Sequence, residues 1–243
     1  MKTPSSDPLA KRLVFVTGDK GGVGKSFTAR TLVQHYLDTR QPCHAYDIDP
    51  VNPTLHQYYP ENTIRLNLEE PGALDQIRND LEFNQLLMVD CAARSLHDLD
   101  GWFRELGLLR QRRDLHLSVT FVFVITPDKS CTAIMSEALD MFGQEADYLV
   151  VKNLKMGKDF SIYENSKLRK RLMEEYHGQE IVLPPLLERT VVLLDRHDLG
   201  FNRALVDDRV TVADRSRVRG YPVHGLQLPS TLSRPRYCRG FLS

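Results

Sequence analysis

The chain has 243 residues, 42% hydrophobic and 26% charged, a globular balance that excludes a collagen, a coiled-coil rod and an acidic disordered polymer. Its 32 Lys and Arg offset 32 Asp and Glu, so bulk charge does not drive it onto nucleic acid and any DNA contact would be local. No stretch reaches the roughly 20 apolar residues that span a bilayer, and Met1 to Pro8 lack the apolar core of a signal peptide, so a cytoplasmic chain without a transmembrane segment is expected.

In chain order, the first structured run is Leu13-Val14-Phe15-Val16, apolar at every position and therefore read as a strand buried on both faces. A glycine-rich turn follows, then Ala29, Leu32, Val33, Tyr36 and Leu37 at helical spacing. A weaker strand, Cys43 to Tyr46, leads into Asp47-Ile48-Asp49-Pro50. Leu86-Leu87-Met88-Val89 ends in Asp90, and Val119 to Ile125 is another strand. Ile134, Ala138, Met141 and Phe142 mark a helix, and Tyr148 to Val151 a strand ending near Asn153. Leu168, Leu172 and Tyr176 predict a helix whose basic outer face, Lys167, Arg169, Lys170 and Arg171, is read as solvated. Ile181-Val182-Leu183 runs into Pro184-Pro185. The alternation predicts a three-layer α/β fold with a mostly parallel sheet, as one domain over residues 12–221 behind an extension over 1–11. Prolines at 222, 229 and 235, with Arg234, Arg236 and Arg239, suggest a disordered basic tail over 222–243. Cys43, Cys91, Cys131 and Cys238 form no C-x-x-C pair and are read as reduced thiols.

The chemistry concentrates in Lys20-Gly21-Gly22-Val23-Gly24-Lys25-Ser26-Phe27, between the first strand and the first helix. This is the context that a phosphate-binding loop requires. Glycines let the backbone approach an anion, and successive N–H groups converge on it at a helix N-terminus. Lys25 would meet the outer phosphates and the Ser26 hydroxyl a Mg²⁺ ion. Asp47 and Asp49, two residues apart on extended chain, project to one side. Asp90 closes a hydrophobic strand in the Walker B manner. All three would stand at the C-terminal edge of a parallel sheet, where ligands bind.

The run from Lys20 to Ser26 resembles the deviant Walker A motif of the ParA/MinD family of ATPases. The resemblance implies a P-loop fold, ATP and Mg²⁺ as ligands, and slow ATP hydrolysis by a nucleotide-dependent homodimer. It implies that Lys20 reaches across that dimer to the partner's nucleotide. It implies that Asp49 orients the attacking water and that Asp47 and Asp90 support the metal with Ser26. It implies that the backbone of Gly21 to Phe27 holds the phosphates, that Asn153 contacts adenine and that the Pro184 loop covers the base. ATP is expected over GTP because no Asn-Lys-x-Asp motif follows Asn153. Asp19 and Phe27 replace residues common in the family, and Cys91-Ala92-Ala93-Arg94 lacks its usual switch II glycine. Within the family, Asp47 to His56 with Gly-Lys-Ser-Phe looks most like plasmid TraL- and StbB-type proteins, implying a role in conjugal transfer, stability or partition with plasmid-encoded partners. A metabolic ATP-dependent ligase or kinase-like enzyme, or a nucleotide-sensing scaffold with little hydrolysis, would use the same loop.

Overall fold

A computed structural model describes residues 11–93 and 95–221; the tail expected over 222–243 lies outside the described residues. Seven strands form one sheet: β1 (Lys11–Thr17), β2 (His44–Asp47), β3 (Thr63–Arg65), β4 (Leu86–Asp90), β5 (Leu117–Ile125), β6 (Asp147–Asn153) and β7 (Gln179–Leu183). Their spatial order is β3-β2-β4-β1-β5-β6-β7, and every pairing is parallel. Helices intervene in chain order: α1 (Lys25–Asp38), α2 (Thr54–Tyr58), α3 (Asp75–Asp80), α4 (Leu96–Leu106), α5 (Leu108–Gln111), α6 (Ala133–Phe142), α7 (Ser161–Glu164), α8 (Lys167–Glu175), α9 (Glu188–Arg196), α10 (Phe201–Ala204) and α11 (Val212–Gly220).

The apolar runs divide by side-chain alternation. Leu13 and Phe15 of β1 join Leu87, Val89, Phe121 and Phe123 under α3 to α6 and α8. Val14 and Val16 join Leu86, Met88, Val122 and Val124 under α1, α2 and α9 to α11. Two helical layers thus cover the two faces, and the three-layer expectation holds. Each fully buried side chain, such as Phe15 or Phe121, contributes about 1.5–3 kcal/mol of burial.

Two local readings change. Three-residue β3 has no apolar run, since Ile64 and Arg65 are exposed at the sheet edge. The basic face of α8 is not simply solvated: Arg169 pairs with Glu180 at 2.7 Å, and Arg171 with Asp140 at 2.7 Å.

The short helix α2 is held by a dense seam. The Arg30 guanidinium lies 3.4 Å from the Tyr58 ring centroid and pairs with Asp195 at 3.3 Å. The Tyr58 hydroxyl donates to Asp195 at 2.6 Å, and the Gln57 amide to Asp198 at 2.5 Å. The Tyr59 hydroxyl donates to Gln34 at 3.0 Å and accepts the Phe201 N–H at 3.0 Å. A buried guanidinium stacked on an aromatic face and paired with a carboxylate is a strong anchor.

Candidate functional site

β1, β2 and β4 end side by side, so Thr17, Asp47 and Asp90 stand at one edge of the sheet. The glycine loop leaves this edge from β1 and enters α1. Gly22 and Gly24 have φ of +81° and +101°, the left-handed region that disfavours other residues. Gly24 caps α1 without a side chain, and no acid sits in the first turn. The initial N–H groups of a 14-residue helix are therefore left to an external acceptor, with the dipole favouring an anion. Lys25 is buried, and its ammonium donates to the Lys20 carbonyl across the loop at 3.1 Å.

Asp47 and Asp90 are Cα partners in the β2–β4 ladder, so both carboxylates enter the same space. Both residues are 1% exposed. Asp47 accepts the Asp49 N–H at 3.2 Å and the His56 N–H at 3.1 Å. Burial raises its pKa, and these N–H bonds pull partly against that. Neither Asp90 oxygen meets a partner with hydrogen-bond geometry. Burial, then the charge of Asp47, pushes its carboxyl up to about 8, against smaller lowering by the nearby Ser26 hydroxyl and Lys25. Two adjacent buried acids, one with both oxygens unsatisfied, are costly in the free chain. A cation bridging to phosphate would relieve that cost, so the residues fit Mg²⁺, which takes one or two carboxylates and keeps phosphate and water as its other ligands. Among the described residues no cluster of three or more His, Cys, Asp or Glu forms a cage made of protein alone.

Asp49 sits beyond the strand end, its Oδ1 accepting the Val51 and Asn52 N–H groups at 3.0 Å each. It is thus turned into its own loop, while Asp47 faces Asp90. On its far side opens a cavity of about 700 Å³ walled by Asp49, Glu69 and Glu70 with Arg65. Three carboxylates against one guanidinium disfavour a triphosphate there and leave it the lysine side of the loop. That side holds a smaller cavity of about 320 Å³, between residues 20–23, 126–128 and Met156.

Lys20 pairs with Asp128 at 2.5 Å, both half exposed. Asp128 escapes the sequence analysis above, although a carboxylate just past Ile125, at the C-terminal end of β5, carries the signal of the other strand-end acids. Asn153 turns its amide onto the loop, donating to the Val23 carbonyl at 2.9 Å. The Pro184 carbonyl accepts the Tyr221 hydroxyl at 2.7 Å. Phe27 packs edge-on against Phe201 and Tyr221, so its side chain serves the core. Cys43 and Cys91 are buried free thiols.

No family model matches the sequence. MobD of Acidithiobacillus ferrooxidans is 27% identical over 187 residues, covering 74% of this chain and 81% of MobD. TraL of Escherichia coli is 26% identical over 233 residues, covering 86% of this chain and 92% of TraL. A nucleotide-binding protein of Archaeoglobus fulgidus, solved in complex with ADP and with cobalt, is 18% identical. It superposes with a TM-score of 0.50 over 79% of this chain and 88% of that one, a likeness of fold. The all-parallel strand order and the helices on both faces give the chain a three-layer α/β P-loop fold, and in sequence it is similar to MobD and TraL.

Proposed function

We propose that this protein is a Mg²⁺-dependent ATP switch that dimerises on ATP, hydrolyses it slowly and serves plasmid transfer, stability or partition. The observation that carries the reading is the uncapped start of α1 near the buried Asp47–Asp90 pair, with Ser26 and Lys25 of that helix acting on Asp90: anion-seeking amides and cation-seeking carboxylates meet at one end of the sheet. The backbone of Gly21 to Phe27 and the Lys25 ammonium hold the phosphates. Ser26, Asp47 and Asp90 hold the metal, which when bound neutralises phosphate charge. Asp49 orients water through a carboxylate steadied by the Val51 and Asn52 N–H groups. Asn153 and Pro184 border the base at the ends of β6 and β7. The likeness to MobD and TraL supports the plasmid setting.

In the free chain Lys20 is engaged by Asp128. A half-exposed ion pair is worth under about 1 kcal/mol, so Lys20 exchanges readily onto a partner's nucleotide. Lys20→Ala is expected to keep ATP affinity within a few-fold and to remain monomeric, read as mass by light scattering with a slowly hydrolysed ATP analogue. An ATP-dependent dimer of unchanged affinity would defeat the trans role. Asp49→Ala is expected to bind ATP and turn it over at least about tenfold more slowly. Wild-type turnover would remove Asp49 from the mechanism, and turnover that needs a small carboxylate or amine would point to a ligase instead. The same mass measurement with ADP, and with plasmid DNA present, tests the switch and the DNA contact together.

A further inference from the structure

Asn153 ends β6 and is 4% exposed. Its Nδ2 donates to the Val23 carbonyl at 2.9 Å, a buried bond between groups 130 positions apart in the chain. Its Oδ1 accepts the Lys155 N–H at 3.1 Å, capping the short turn Leu154–Met156 and fixing the orientation of the amide. Gly24 lies against the same amide: a Cβ there would come within 2.4 Å of Nδ2. The missing side chain of Gly24 therefore makes room for Asn153, and φ of +101° suits the same residue type.

The Val23 carbonyl and the Gly24 N–H belong to one planar trans peptide and point in opposite directions. Holding the carbonyl toward β6 turns the N–H away from it. We propose that Asn153 is a positioning residue for phosphate binding: it locks the Val23–Gly24 peptide plane and so aims the Gly24 N–H into the loop before any ligand arrives. This rests on the nucleotide-binding reading above and is separate from contact with a base. A loop held in its binding geometry loses less freedom on binding, and one buried hydrogen bond corresponds to roughly tenfold in affinity.

The test uses the full chain with Mg²⁺ and three probes: ATP, GTP and inorganic tripolyphosphate. Asn153→Ala removes both bonds, while Asn153→Ser keeps a side-chain cap for the 154–156 turn but cannot reach Val23, which protects the fold. In both variants all three probes should weaken in parallel, by roughly tenfold. Weakening of ATP or GTP that tripolyphosphate does not share would overturn the proposal in favour of a base contact, and unchanged affinities would overturn it outright. Hydrogen exchange of amides 21–25 in the nucleotide-free chain supplies an arm that needs no ligand. Exchange should rise several-fold in both variants; equal exchange, or a wild-type loop already exchanging at the free-chain rate, would sink the strut. Should the wild type bind none of the probes, the nucleotide reading fails while the exchange arm still decides the role of Asn153.

Discussion

Lys25→Ala is expected to cost about 3 kcal/mol of ATP binding, roughly a hundredfold in Kd, while leaving the melting temperature of the free chain nearly unchanged. The two halves of this result have separate causes. In the free chain the ammonium makes one bond, to the Lys20 carbonyl, and that carbonyl sits on an exposed loop residue where water can replace the donor. With a triphosphate in the loop, the same ammonium would make charge-assisted bonds to oxygens in a buried site, where each is about twice as strong as a neutral one. Calorimetric titration of ATP into wild type and variant measures the difference. Wild-type affinity in the variant would place the triphosphate elsewhere and remove the loop from the mechanism.

Asp90→Asn should act in opposite directions on stability and on metal-linked binding. The variant replaces a carboxylate with two unsatisfied, buried oxygens by a neutral amide of the same shape. The free protein should gain on the order of 2 kcal/mol at pH 7.5, about 5 °C in Tm. The pH dependence carries the sign. The folded-state pKa of Asp90 is raised from 3.8 to about 8, so between these values the folded chain binds more protons than the unfolded one. Stability attributable to this group is present below about 4 and falls as pH rises toward 8. The asparagine variant should lose that slope. On the proposed function it should also lose the Mg²⁺-dependent part of any Tm increase on adding ATP, because bound metal would stabilise only the state that holds it. Scanning fluorimetry across pH, with and without Mg²⁺ and ATP, reads all three effects. A variant no more stable than wild type without metal, or one that keeps the full Mg²⁺-dependent shift, would dismiss Asp90 as the metal's anchor.

The parts of this molecule legible from sequence are those whose physics is local or repetitive. Six of the seven strands announce themselves as short apolar runs: Leu13 to Val16 is buried on both faces, Val119 to Ile125 is broken only by Thr120, and even half-exposed β7 keeps Ile181 to Leu183. The edge strand β3 has one buried residue, Thr63, and offers no such run. Leu96, Leu99, Trp102 and Phe103 carry helical spacing for α4, a signal the sequence analysis above leaves unused. The glycine loop is contiguous, so its residue types and its position between strand and helix are legible without any tertiary contact. That Asp47 and Asp90 are immediate neighbours depends on strand order, which places β2 beside β4. The Lys20–Asp128 pair and the Asn153–Val23 bond join groups 108 and 130 positions apart, and no periodicity signals either. The basic face of α8 departs from its solvated expectation at two of four positions for the same reason: Asp140 and Glu180, which pair with Arg171 and Arg169, stand on other elements, while Lys167 and Lys170 are exposed.

The acidic loop that carries Asp49 is moored at both ends. Asp47 belongs to the ladder, and Thr54 opens a helix riveted to α1 and α10 through Arg30, Tyr58 and Tyr59. Ile48 is buried too, its N–H on the Asp90 carbonyl at 3.1 Å, so the span between these moorings is only 49–53, which Pro50 and Pro53 stiffen further. Such a span can flex in place but cannot swing like a lid. Whatever Asp49 feels when its neighbours change is therefore delivered over a short range, to the ground its own anchors stand on.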